Sequence, residues 1–193
     1  MSKRNKIILS VFIVAIILGS IVLVIRRINQ KLLGPIAINK TVAENHRDIT
    51  GRQYTLNIKP INIEAPIVLN VDGSDKGEYI SRLESGVAHM KGSALPGSPG
   101  NTVIFGHSSY FSWANGNYKK VFSQLDKLKR GDEVEIKSAQ EDLSFNVLDT
   151  KVVKPNDTYV VNQDLSKHLL TLVTCWPAGT VENRLVVTAE EAE

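Results

Sequence analysis

The sequence predicts an all-β domain, a closed or nearly closed barrel of seven or eight strands with short helices, behind one N-terminal transmembrane helix. Three observations carry that expectation. Residues 7–25 form an uncharged apolar stretch. From Tyr54 onward, short β-rich runs alternate with Gly, Pro, Asn and Asp. The chain has 193 residues, 42% of them hydrophobic and 22% charged, which at roughly 100–200 residues per domain suits one folded domain and little else.

The apolar stretch comes first. Fifteen of its 19 residues are Ile, Leu, Val or Phe, and the others are Ser10, Ala15, Gly19 and Ser20. As a helix it spans about 29 Å, close to the roughly 30 Å hydrocarbon core. Each apolar residue contributes about −0.3 to −0.6 kcal/mol to insertion at the helix centre. A cleaved signal peptide is the alternative. The stretch is longer than the usual apolar region of about 7–15 residues, and it runs into Arg26-Arg27 without a small-x-small cleavage site. Lys3, Arg4 and Lys6 stand on one side and Arg26, Arg27 and Lys31 on the other, so basic-residue asymmetry does not orient it. Only six residues precede the helix and a whole domain follows. The expected layout is therefore a cytoplasmic N-terminus at 1–6, a membrane helix at 7–25, a stalk at 26–53 and an extracytoplasmic domain at 54–193.

Charge distribution excludes one class of partner. The first 31 residues carry a net +6, leaving 17 basic against 20 acidic residues in the rest, a balance of −3. A mildly acidic domain does not bind nucleic acid through a basic face.

Within the domain, strands are expected at 54–58, 61–63, 101–106, 133–137, 143–153, 169–174 and 184–189. Val134 and Ile136 alternate with acids, as in a half-buried strand. Lys129-Arg130-Gly131-Asp132 reads as the turn leading into it. Short helical turns are expected at 121–128 and 81–91. Many short strands with turn signals between them favour a barrel over a parallel α/β sheet.

Three residues stand out chemically. Cys175 is the single cysteine, so it forms no intramolecular disulfide and no zinc site of several thiolates. It follows the apolar run Leu169–Thr174 and precedes Trp176-Pro177; the residue before a proline is held extended, which puts Cys175 at a strand end. Taken alone such a cysteine is most often a small buried hydrophobe, although an unpaired thiol outside the membrane is also a candidate nucleophile. Of the four histidines, His46 falls in the stalk, and His89 and His168 lie in polar or helical-turn surroundings. His107 ends the run 101–106, and Gly106 lets the backbone bend there so that the imidazole faces a cleft. Arg184 opens the last apolar run, eight residues beyond the segment's start at Trp176. A hairpin across that segment sets its guanidinium beside the cysteine, where a permanent charge stabilises a thiolate or a developing oxyanion.

These strings resemble the sortases, membrane-anchored cysteine transpeptidases of Gram-positive-type cell surfaces. The matching pieces are Asn101-Thr102-Val103-Ile104-Phe105-Gly106-His107, Phe122-Ser123-Gln124-Leu125 with Lys129-Arg130-Gly131-Asp132, Leu170-Thr171-Leu172-Val173-Thr174-Cys175 and Asn183-Arg184-Leu185-Val186-Val187. Ile61-Asn62-Ile63-Glu64-Ala65-Pro66-Ile67 and Leu95-Pro96-Gly97 fit the family's early strands and loop. The resemblance covers roughly residues 54–190. It implies a sortase-type β-barrel, with catalytic His107, Cys175 and Arg184 and substrate-groove positions at Thr174, Val173 and Phe105. It further implies secreted substrates with an LPXTG-like sorting signal, an acceptor amine of a peptidoglycan precursor, and contact with membrane lipid through the N-terminal helix. The short segment between Cys175 and Arg184 and the lack of a lid motif are most like class D or E, with class A next. No metal and no cofactor is expected, because the calcium-binding acids of some class A members have no counterpart here.

The implied chemistry is attack by the Cys175 sulfur on a peptide bond, protonation of the leaving amine by His107, and resolution of the thioester by an incoming amine. At ordinary pKa values of about 8.5 and 6.5, thiolate and imidazolium coexist in below about 1% of molecules at pH 7, so a slow enzyme with a bell-shaped pH profile is expected. Two other readings stand beside this one. A cell-wall cysteine hydrolase of papain type would put its nucleophile on a helix and ahead of its histidine. A membrane-tethered β-module would bind without catalysis.

Overall fold

A computed structural model describes residues 53–109 and 117–192. Eight strands run in chain order: β1 Thr55–Ile58, β2 Ile63–Val71, β3 Val87–Met90, β4 Gly100–Phe105, β5 Glu133–Lys137, β6 Asp142–Val153, β7 His168–Trp176 and β8 Asn183–Glu191. They close into a barrel in the order β1-β2-β3-β4-β7-β8-β6-β5, with β1 pairing antiparallel to β5. Among the described residues one α-helix, α1 (Lys76–Leu83), crosses from β2 to β3. Among the described residues no helix is long and apolar enough to cross a membrane. The expected membrane helix at 7–25, the cytoplasmic segment at 1–6 and nearly all of the stalk at 26–53, with His46, lie outside the described residues.

Period-two alternation sorts the central strands onto two faces. Leu170 and Leu172 of β7, Ile104 of β4, and Leu185 and Val187 of β8 point into the barrel with Leu56, Ile58, Ile67, Phe122, Ile136 and Phe145. Their neighbours Val173, Val103 and Val186 face outward and form a second cluster, covered by Val160 and Val161. Burial on both faces explains why β7 lacks a clean apolar–polar alternation, with Leu169 beside Leu170 and Leu172 beside Val173.

Two expectations need correction. The strand expected at 61–63 is instead a 3-10 turn, Lys59–Ile61, followed by a strand that starts at Ile63 and continues to Val71. This strand carries Pro66, which lacks a ladder donor. The proline sits at the end of β1, opposite Thr55, before pairing with β3 begins at Ile67.

The helical turn expected at 81–91 is also wrong. The helix occupies Lys76–Leu83 and a strand follows at Val87–Met90. A Cβ on Gly86 would stand 2.1 Å from the Pro66 carbonyl oxygen, so glycine lets β3 approach β2 and pair in parallel with it. Four residues show no period long enough to recognise.

His89 of β3 is fully buried. Its Nδ1 accepts from the Asn70 N–H (3.2 Å), which makes Nε2 the protonated nitrogen, 3.0 Å from the Ala94 carbonyl and 3.0 Å from Ser93 Oγ. Burial pulls its pKa below 6.5, against the raising effect of the contacts at Ala94 and Ser93. It is a neutral structural histidine joining β2, β3 and the segment before β4.

Candidate active site

The β7–β8 hairpin makes the first half of the site. Its register pairs Val173 with Val186, Thr174 with Leu185 and Cys175 with Arg184. Residues directly opposite on an antiparallel ladder share a face, so Cys175 and Arg184 project outward together. Arg184 Nη1 donates to the carbonyls of Val181 (3.1 Å) and Asn183 (2.9 Å). The turn's own backbone thus orients the guanidinium.

The second half comes from a strand far away in sequence. β4 runs parallel to β7 with Phe105 beside Val173, so two further residues carry the chain to His107 at the level of Cys175. Outward Phe105 and inward Ile104 set the parity, which brings His107 to the outer face with Cys175. Three backbone or hydroxyl contacts hold this strand end. The Gly106 N–H donates to the Val173 carbonyl (3.2 Å), the Phe122 N–H donates to the His107 carbonyl (2.9 Å), and Thr174 Oγ1 donates to the Gly106 carbonyl (2.7 Å).

Gly106 is required for a reason other than the bend expected from the sequence. A Cβ there would lie 2.5 Å from the Phe122 ring. The glycine makes room for a core phenylalanine under the histidine.

His107, Cys175 and Arg184 line one groove of about 810 Å³. Cys175 is half-buried and forms no disulfide. Burial pushes the His107 imidazole below 6.5, since a low-dielectric site disfavours its charged form. Among the described residues, those lining the groove include Lys76, His107 and Arg184 and no carboxylate. Phe105 and Val173 also border the groove, while Val173 is mostly packed into the outer cluster. Thr174 lines the groove as well, but it is 3% exposed and its hydroxyl is occupied by Gly106.

Sequence reading missed one wall. Lys76, Tyr79 and Ile80 of α1 line the groove opposite the Gly179–Val181 turn, and Ser108 and Ser109 close the end beyond His107. A signal for α1 was present. Asp75 caps it, its Oδ1 accepting from the N–H groups of Gly77 (2.9 Å) and Glu78 (3.0 Å). Asp followed three residues later by Glu marks a helix start. Leu83 packs α1 onto Val68, Val71 and Ala88, with Tyr79 and Phe105 against that cluster.

A thiol, an imidazole and a guanidinium meet in one groove, an arrangement able to carry acyl transfer. The family model of the sortase domain matches residues 56–192. Sortase D of Bacillus subtilis (strain 168) is 31% identical over 128 residues, covering 66% of this chain and 56% of that protein. Sortase A of Streptococcus agalactiae serotype III (strain NEM316) is 28% identical over 115 residues, covering 60% of this chain and 45% of that protein. The chain thus spans about half the length of these curated relatives. The solved Clostridium perfringens sortase D5 transpeptidase superposes with a TM-score of 0.60 at 28% identity, over 72% of this chain and 78% of that one. Sortase C-1 of Actinomyces oris gives a TM-score of 0.62 at 32% identity, over 72% and 73%.

Proposed function

The chain belongs to the sortase family, and from that premise we propose that it is a membrane-anchored cysteine transpeptidase whose catalytic residues are His107, Cys175 and Arg184. It cleaves an LPXTG-like sorting signal between Thr and Gly and transfers the secreted protein to an amine of a peptidoglycan precursor. A helix at 7–25 tethers it with the N-terminus in the cytoplasm and the domain outside. Its similarity to the sortase D of Bacillus subtilis supports a reading as class D or E. The observation that carries the catalytic reading is the meeting of His107, just beyond β4, with Cys175 of β7 and Arg184 of β8 in one groove.

In the acylation half-reaction the Cys175 sulfur attacks the Thr carbonyl carbon, and Arg184 with backbone N–H groups holds the oxyanion. The carbon–nitrogen bond then breaks as His107 imidazolium gives its proton to the departing Gly amine, leaving a Thr thioester. In the second half His107 takes a proton from the incoming amine, the new amide bond forms, and the Cys175 sulfur leaves.

The test is mass spectrometry of the full chain incubated with sorting-signal peptides and candidate amines. A thioester on Cys175 and a ligated product are expected, with both lost in Cys175→Ala. Turnover unchanged by that substitution would overturn the reading. Cleavage without transfer to any amine would make the protein a hydrolase, and no thioester at all a binding module.

A further inference from the structure

Tyr79 belongs to none of the roles above, yet its position is tightly specified. Its ring meets Phe105 edge-on, with centroids 6.2 Å apart and planes at 82°. Phe105 lies beside Val173, two residues before the cysteine. On the other side, α1 is fixed by Leu83 against Val68, Val71 and Ala88. The ring is therefore held from two directions while it lines the same groove as Cys175, His107 and Arg184.

We propose that Tyr79 is a substrate-contacting residue of this groove, its phenol donating a hydrogen bond to the carbonyl oxygen that Cys175 attacks. The inference rests on the acyl-transfer part of the reading above.

The charged neighbours of the phenol define what it can do. Burial first and the Cys175 charge second push its pKa up to about 12, with Arg184 opposing both. Tyr79 thus lies in the field of the nucleophile and of the cation together, which is the region where an oxyanion develops. At that pKa it keeps its proton, so it is a hydrogen-bond donor and not a base. A donor aimed at developing charge in a dry site lowers the barrier, whereas a base there would compete with His107. Among the described residues that line the groove, Lys76 and Arg184 are cations and none is a carboxylate that would draw the phenol proton away.

The test compares the full chain with Tyr79→Phe, which keeps the ring against Phe105 and removes only the hydroxyl. The first probe is 4-nitrophenyl acetate, whose acyl transfer to Cys175 passes through a carbonyl oxyanion; the sulfur–carbon bond forms as the ester carbon–oxygen bond breaks, releasing nitrophenol. The second is iodoacetamide, where the sulfur displaces iodide from a methylene and the carbonyl does not react. With the Cys175→Ala background subtracted, Tyr79→Phe should slow the nitrophenol burst at least about tenfold. Its alkylation rate should stay within about twofold of wild type.

An unchanged burst overturns the proposal. So does a parallel fall in both rates, which would assign Tyr79 to thiol activation or packing. Neither probe needs a sorting motif or an acceptor amine. Failure of wild type to cleave sorting peptides would therefore sink the transpeptidase reading and leave this comparison informative.

Discussion

Cys175 lies directly across the β7–β8 ladder from Arg184, so sulfur and guanidinium share a sheet face through backbone geometry alone. Two turn carbonyls, Val181 and Asn183, both accept from the same Arg184 nitrogen. Lysine has no planar fork to use those acceptors while presenting its remaining donors to the groove.

Arg184→Lys should therefore lower the rate of thioester formation by about 100-fold or more, some 2.7 kcal/mol of transition-state stabilisation. Alkylation of Cys175 should persist. Quench-flow measurement of the acyl-enzyme checks this, and a loss under tenfold would mean that the charge matters and the fork does not.

Thr174→Val removes the donor to the Gly106 carbonyl while keeping the side-chain shape. The buried acceptor loses its partner, which should cost about 1–3 kcal/mol, seen as a lower urea midpoint with unchanged slope. Thr174→Ser should restore most of it. Turnover should fall beyond what unfolding explains, because Gly106 leads into His107. Full activity in folded Thr174→Val would show that the strand end is held without this bond.

The pH profile follows from the buried imidazole. The first proton lost from the doubly protonated pair comes from His107, whose pKa lies below 6.5, and the remaining proton is shared between ring and sulfur. The acid limb of kcat/KM should therefore have its midpoint below 6.5. A midpoint at or above that value contradicts the burial found here.

His89 should make stability depend on acidity. Its folded pKa lies below the unfolded 6.5, so as pH falls the unfolded chain binds the proton first. The contribution is complete above about 6.5 and is lost below it. Urea midpoints at about pH 7.5 and 5.5 should show a larger loss for wild type than for His89→Gln. Equal losses would remove His89 as a cause.

Much of this was legible along the chain. Proline at 177 and glycine at 106 punctuate two strands, which located Cys175 and His107 at strand ends. The short spacing to Arg184 implied a hairpin, and a hairpin leaves little choice of partner because its turn is local. The outer groove wall was not recovered this way: α1 was expected several residues too late, and β3 was too short for its period to show.

What no local pattern held was the meeting of His107 with Cys175, 68 residues apart. It arises from the parallel β4–β7 pairing, a contact chosen when the whole sheet closes and buries both faces of β7. Tyr79 reaches the same groove because α1 folds back between the parallel strands β2 and β3. Side-chain alternation and turn chemistry act over a few residues and are written locally. Partner choice in a parallel ladder depends on burial shared by every strand of the barrel, and that quantity exists only after folding.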